Sequence, residues 1–194
     1  MSSGIYLLLN NLLGALGPVR DTELLLRWSE YSAFTPLMRT HETNKPDDNA
    51  QVYDDAETLQ KFGRLTQIYK ALKPYIKNAV AQNTYEGVPV MRPLFLQYPE
   101  DSEAYKQDYQ YMFGDDLLVA PVLEPNVENW NVYLPGPDNW VWFWDQSDQT
   151  DLIPGGQSIS VYSPMGYPPV FFRYESDFKK LFQDIAKQFG SLKL

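Results

Sequence analysis

The chain has 194 residues, 44% of them apolar, one histidine, no cysteine and a formal charge of −9. That length allows one compact domain or two small ones, and the apolar share excludes a disordered chain. The acidity excludes a phosphate backbone as partner, and the missing cysteines exclude disulfides and thiolate metal sites. No cofactor and no metal site is expected, since one histidine without cysteine leaves no structural zinc centre. Ile5-Tyr6-Leu7-Leu8-Leu9 lacks a basic flank and is too short for a signal peptide. No stretch approaches the ~20 apolar residues of a membrane helix, so a soluble, cytoplasmic protein is expected, with no membrane partner.

Residues 1–20 mix Leu, Asn and Gly up to Gly17-Pro18 and suggest a strand remnant and a loop. Asp21-Thr22 can cap a helix that starts near Glu23, with Leu24, Leu25, Trp28, Tyr31 and Phe34 on one apolar face. Ala33 to Met38 reads as a short buried strand, and the polar stretch Asn44 to Tyr53 as a loop. Asp54 as N-cap and Glu57 three residues on form a capping-box pattern. Apolar residues from Leu59 to Val80 at spacings of three and four continue a long helix to Gly87, and Pro74 should kink it.

The character changes at Gly87. Val88 to Leu96 is extended and apolar. Tyr109 to Phe113 and Leu117 to Ala120 flank a Gly114-Asp115-Asp116 turn, and Val132 to Leu134 and Val141 to Trp144 flank Pro135-Gly136-Pro137-Asp138-Asn139. Ser158 to Tyr162 alternates with period two, and Pro169 to Phe172 closes the series. Short strands with regular turns predict an antiparallel β-sandwich. Ser176 can cap a last helix whose stripe Phe178, Leu181, Phe182, Ile185 and Phe189 should dock on the chain's own core before a stop at Gly190.

The chemistry-bearing residues are few. The acidic pairs Asp47-Asp48, Asp54-Asp55 and Asp115-Asp116 are sequence neighbours, which do not face each other, and they read as loop, cap and turn. His41 differs, because Arg39, His41 and Glu42 follow the expected strand, and strand ends hold substrate in a (β/α)-barrel. A neutral imidazole there could hydrogen-bond a sugar hydroxyl. Arg39 and Glu42 either frame that site or pair with each other. Trp130, Trp140, Trp142 and Trp144 could stack on sugar rings. The spacing of the last three puts them on one strand face, which is either core or platform, with core favoured.

Several ordered blocks carry a resemblance. They are Leu24-Leu25-Leu26-Arg27-Trp28, Ala33 to His41, Leu72-Lys73-Pro74-Tyr75, Gly87 to Phe95, Leu117 to Val122, Tyr133-Leu134-Pro135 and Pro168 to Arg173. Together they resemble glycoside hydrolase family 31, the α-glucosidase clan. Within it, the run Arg39-Thr40-His41-Glu42 followed by Asn44-Lys45-Pro46 is similar to that of the sulfoquinovosidases. The resemblance implies a retaining hydrolase of α-sulfoquinovosides, working through a covalent glycosyl intermediate and two carboxyl groups. It implies the last strands and helices of a (β/α)8 TIM barrel over residues 1–86, a β-sandwich domain over 87–174 and a terminal amphipathic helix over 175–194.

It also implies what this chain lacks. The family's catalytic aspartates, and the arginine and tryptophan that grip the sulfonate, lie on earlier barrel segments with no counterpart here. No catalytic residue is therefore assigned. His41 aligns with the substrate-binding histidine. Tyr6 stands where the sulfonate-binding tyrosine would, although Ile5 replaces a glycine of that motif. The expectation is a C-terminal portion of an α-glycosidase, inactive alone, whose partners are an α-glycoside and the absent barrel portion. A partial barrel exposes strand edges, so self-association is expected too. The alternative is a non-catalytic carbohydrate-binding or assembly protein derived from such an enzyme.

Overall fold

A computed structural model describes residues 19–40, 46–146 and 151–190. Helix α1 spans Thr22–Ala33, and its N-cap Asp21 accepts a hydrogen bond from the Leu24 amide at 2.8 Å. Its buried side is Leu25, Leu26, Arg27, Ser29, Glu30 and Ala33, whereas Leu24 is 40% exposed. The buried face is thus rotated from the apolar stripe expected, because α1 packs partly against main-chain polar groups that Arg27 and Glu30 can satisfy.

The strand expected over Ala33 to Met38 is not formed. Ala33 ends the helix, and the residues after it carry no ladder among the described residues. The Thr35 hydroxyl donates to Ser32 O at 2.9 Å and lies 3.0 Å from Leu37 O, which bends the chain directly after the helix.

Helix α2 is Ala56–Ala71 and helix α3 is Lys73–Glu86. The α2 cap is Asp55, one residue later than expected. Its carboxylate accepts from the Thr58 amide at 2.8 Å and the Thr58 hydroxyl at 2.7 Å, while Asp54 turns back to the Gln51 amide. Pro74 does not kink one long helix. The helix breaks at Leu72, and Pro74 sits in the first turn of α3, where its missing N–H would have had no partner anyway. Gly87 ends α3 at φ +74°, in the left-handed region that glycine tolerates.

The remaining chain builds two antiparallel sheets. Strands β1 (Met91–Pro93), β2 (Tyr111–Phe113), β3 (Leu117–Val119), β5 (Asn139–Trp142), β6 (Ile153–Pro154) and β8 (Val170–Arg173) form a six-stranded sheet in the order β1-β2-β3-β8-β5-β6. Strands β4 (Asn129–Leu134) and β7 (Gln157–Tyr162) pair as a separate ribbon. A short helix α4, Leu94–Gln97, follows β1, and α5, Lys179–Phe189, closes the described chain.

Both faces of the large sheet are buried, which is why its strands read as continuous apolar runs. On one face Met112, Leu118, Trp140 and Phe171 pack with Val132 and Leu134 of the ribbon. On the other face Phe113, Leu117, Val119, Val141, Val170 and Phe172 pack with Leu65 and Ile68 of α2, Tyr75, Ile76 and Ala79 of α3, and Phe182 and Ile185 of α5. The period of two in strand side chains assigns neighbours such as Phe171 and Phe172 to opposite layers. The result is three layers, helices on sheet on ribbon, with α5 docked on the core as its stripe predicted.

Candidate functional site

Tyr6, His41 and Glu42 lie outside the described residues, as do Asn44 and Lys45. What the structure gives is the frame on either side of the 41–45 stretch. On the approach, the Tyr111 hydroxyl of β2 donates to Phe34 O at 3.1 Å, and the Tyr69 hydroxyl of α2 donates to Pro36 O at 3.0 Å. Phe34 is fully buried and edge-on to Phe143 and Trp144, with centroids at 5.6 and 6.1 Å. Met38 packs on the same core, while Arg39 and Thr40 are exposed.

On the return, Asn49 is buried and its side-chain oxygen accepts from the Arg20 amide at 2.8 Å. The Arg20 guanidinium donates to Ala50 O at 2.8 Å, and the Ala50 amide donates back to Arg20 O at 2.8 Å. The chain is thereby tied down before and after His41.

A second cluster lies beneath α1. Arg27 donates to Glu30 at 3.1 Å, to Ser163 O at 3.1 Å and to Val127 O at 2.9 Å. Glu30 accepts from the Gly166 amide at 2.5 Å. Arg64 of α2 donates to Gly166 O and to Phe189 O, and its guanidinium lies 3.8 Å from the Tyr167 ring centroid. Burial raises the Glu30 carboxyl above its ordinary value, against the pull of Arg27. Burial likewise lowers the Arg64 guanidinium. This network ties α1 and α2 to the loop between β7 and β8. An i,i+3 Arg–Glu pair in sequence looks like a solvated surface pair, so nothing local marked it as buried.

The acidic pairs take structural roles. Asp47 and Asp48 are exposed, and Asp55 is a cap. Asp115 accepts from Arg92 at 2.8 Å and from Gln82 at 2.7 Å. Burial raises the Asp116 carboxyl, which the Ser176 side chain hydrogen-bonds. Among the described residues no group of three His, Cys, Asp or Glu could hold a metal ion.

Trp140 and Trp144 are core residues and not an exposed platform. Strand β5 stops at Trp142, so Trp140 and Trp144 fall into different cores, and both are buried. Their indole N–H groups donate to Pro135 O at 2.9 Å and Pro168 O at 2.7 Å. Trp142 is half-buried between the two cores and Trp130 packs on the ribbon side.

Comparison with known proteins places this arrangement. Residues 13–79 match the TIM-barrel domain of the glycosyl hydrolases family 31, and residues 87–176 match the family 31 C-terminal domain. The sulfoquinovosidase of Escherichia coli (strain K12) is 50% identical over 86% of this chain and 24% of its own length. That of Agrobacterium fabrum is 43% identical over 87% of this chain and 25% of its own. A GH31 sulfoquinovosidase from E. rectale, solved with an aza-sugar inhibitor, superposes with a TM-score of 0.83 at 44% identity, covering 89% of this chain and 25% of that one. The chain therefore spans about a quarter of the length of the curated relatives it matches.

Proposed function

We propose, because the chain belongs to glycosyl hydrolase family 31, that it serves as the sugar-contacting C-terminal portion of a retaining α-glycosidase acting on α-sulfoquinovosides. The observation that carries this reading is the 50% identity to a sulfoquinovosidase across 86% of the chain, on top of two consecutive family 31 domains. In this reading His41 and Tyr6 contact the sugar, with Tyr6 on the sulfonate side. The three-layer body holds the polypeptide that presents them.

Retaining hydrolysis takes two carboxyl groups about 5–5.5 Å apart, one as nucleophile and one as acid and then base. Asp21 and Asp55 cap helices, and Asp115 and Asp138 pair with Arg92 and Arg173, so in this reading the chain supplies binding groups and the reacting pair lies elsewhere. The carboxyl pair comes from a preceding barrel portion, which is the proposed partner.

The purified chain incubated with an aryl α-sulfoquinovoside is expected to release no aryl alcohol. Release that His41→Ala abolishes would refute the division of labour.

A further inference from the structure

Among the described residues the ribbon of β4 and β7 has two strands, so each strand keeps one free edge. The ladder fixes which residues face that edge, because hydrogen-bonded and non-hydrogen-bonded pairs alternate along antiparallel strands. The Ser163 amide donates to Glu128 O at 2.6 Å, one step beyond the pairing of Asn129 with Tyr162. Counting on from that bond, Trp130, Val132 and Leu134 bond across the ribbon, opposite Val161, Ile159 and Gln157. The main-chain groups of Asn129, Asn131 and Tyr133 on β4, and of Ser158, Ser160 and Tyr162 on β7, therefore point outward.

The two edges differ. On β4 the buried Gln110 side chain acts as a substitute strand. Its amide donates to Tyr133 O and accepts from the Tyr133 N–H, both at 2.8 Å. That leaves Asn129 and Asn131, next to the charged Glu128. On β7 no described residue bonds the outward main chain of Ser158, Ser160 or Tyr162. The strand, Gln157-Ser158-Ile159-Ser160-Val161-Tyr162, also carries no charge and no proline, the usual devices that blunt an edge. Ser158, Ser160 and Tyr162 are exposed, whereas Ile159 and Val161 are half-buried against the ribbon-side core and keep apolar surface to cover.

We propose that β7 is the interface with a second copy of this chain, the two β7 strands lying antiparallel about a two-fold axis at Ser160. The strand is self-complementary in that register. Ser160 faces Ser160 of the second copy in a hydrogen-bonded pair, and Ser158 faces Tyr162. On the inner face Ile159 meets Val161, so each apolar residue is covered by the other. The outward N–H and C=O groups of the two copies satisfy each other, and two ribbons become one four-stranded sheet. A two-fold contact puts the same patch against itself, which suits a neutral strand in a chain of charge −9, because no carboxylate on the strand meets its own copy.

Sedimentation velocity of the full chain at rising concentration compares wild type, Ser160→Lys, Ser160→Glu and an equal mixture of the two variants. Position 160 is exposed and its main chain takes no bond within the ribbon, so either change should keep the fold, which far-UV circular dichroism checks. Wild type is expected to dimerise. Each variant alone sets like charges opposite each other at the axis and should weaken dimerisation by about tenfold or more. Mixing the variants should restore it, since opposite charges then meet across the axis. A wild type that stays monomeric up to about 1 mM overturns the proposal and leaves the edge to a strand of another protein. A dimer that Ser160→Lys leaves unchanged, or a mixture no tighter than the single variants, overturns it too, because the contact then lies on another surface or in another register.

Discussion

Tyr75→Phe removes one oxygen from the junction between the helical layer and the large sheet. The hydroxyl donates to Phe113 O at 2.5 Å and accepts from the amides of Asp116 at 2.9 Å and Leu117 at 3.3 Å. It thus satisfies three main-chain groups of the β2–β3 hairpin from a ring that is 1% exposed. The ring itself stays, packed edge-on against Phe113, Phe178 and Phe182 at 5.8, 5.1 and 5.1 Å, so little apolar contact is lost. Each buried group left unpaired costs about 1–3 kcal/mol. Counting the two shorter bonds and allowing for relaxation gives a loss of about 2–4 kcal/mol. A chain of this size then melts roughly 5–15 °C lower. Urea unfolding followed by far-UV circular dichroism and by tryptophan fluorescence measures it. Helical and tryptophan signals should move together, because α2, α3 and α5 share one core with the sheet. A loss below about 0.5 kcal/mol, the ordinary range for surface changes, would refute the hydroxyl's role, and separate transitions would refute the shared core.

Further outcomes follow from the same interior. Gly114→Ala places a side chain at φ +62° and drives its Cβ into the Tyr75 hydroxyl. It should cost about 1–2 kcal/mol in backbone strain alone, and its loss should fail to add to that of Tyr75→Phe in a double-mutant cycle. Trp140→Ala empties a fully buried site and should cost about 3–5 kcal/mol by denaturation, whereas a small loss would revive the platform reading of that strand. Glu30 has its carboxyl raised above 4.5 by burial, so the folded state holds the proton more tightly than the unfolded chain. Its contribution is complete below that ordinary value and is lost as pH rises through the elevated one. The stability advantage of wild type over Glu30→Gln should therefore shrink from acid toward neutral pH. An advantage that grows would contradict the burial argument.

What the sequence made legible was local. The β2–β3 hairpin could be read because Gly114-Asp115-Asp116 is its own turn signal, and Gly87 marked the end of α3 by the same logic. The α2 cap slipped by one because Asp54 and Asp55 both fit the pattern, and only the contacts of Thr58 choose between them. Pro74 fits a kink and a helix start equally in sequence, and packing at Leu72 decides. The segment after Ala33 failed as a strand because a ladder needs neighbours, and hydroxyls of Thr35, Tyr69 and Tyr111 take its carbonyls. Those phenols come from positions 33 to 77 residues away, where no periodicity could point to them. The Trp140 to Trp144 spacing has the strand period, but β5 ends at Trp142 and the last ring turns into the other core.

This chain is proposed to supply the sugar-contacting portion of a family 31 glycosidase. A chimera tests it most directly, with this chain replacing the matching quarter of the E. coli sulfoquinovosidase. Turnover of an aryl α-sulfoquinovoside in preference to the aryl α-glucoside is expected, lowered at least tenfold by His41→Ala. A folded chimera that turns over neither substrate, or one indifferent to His41→Ala, would contradict it.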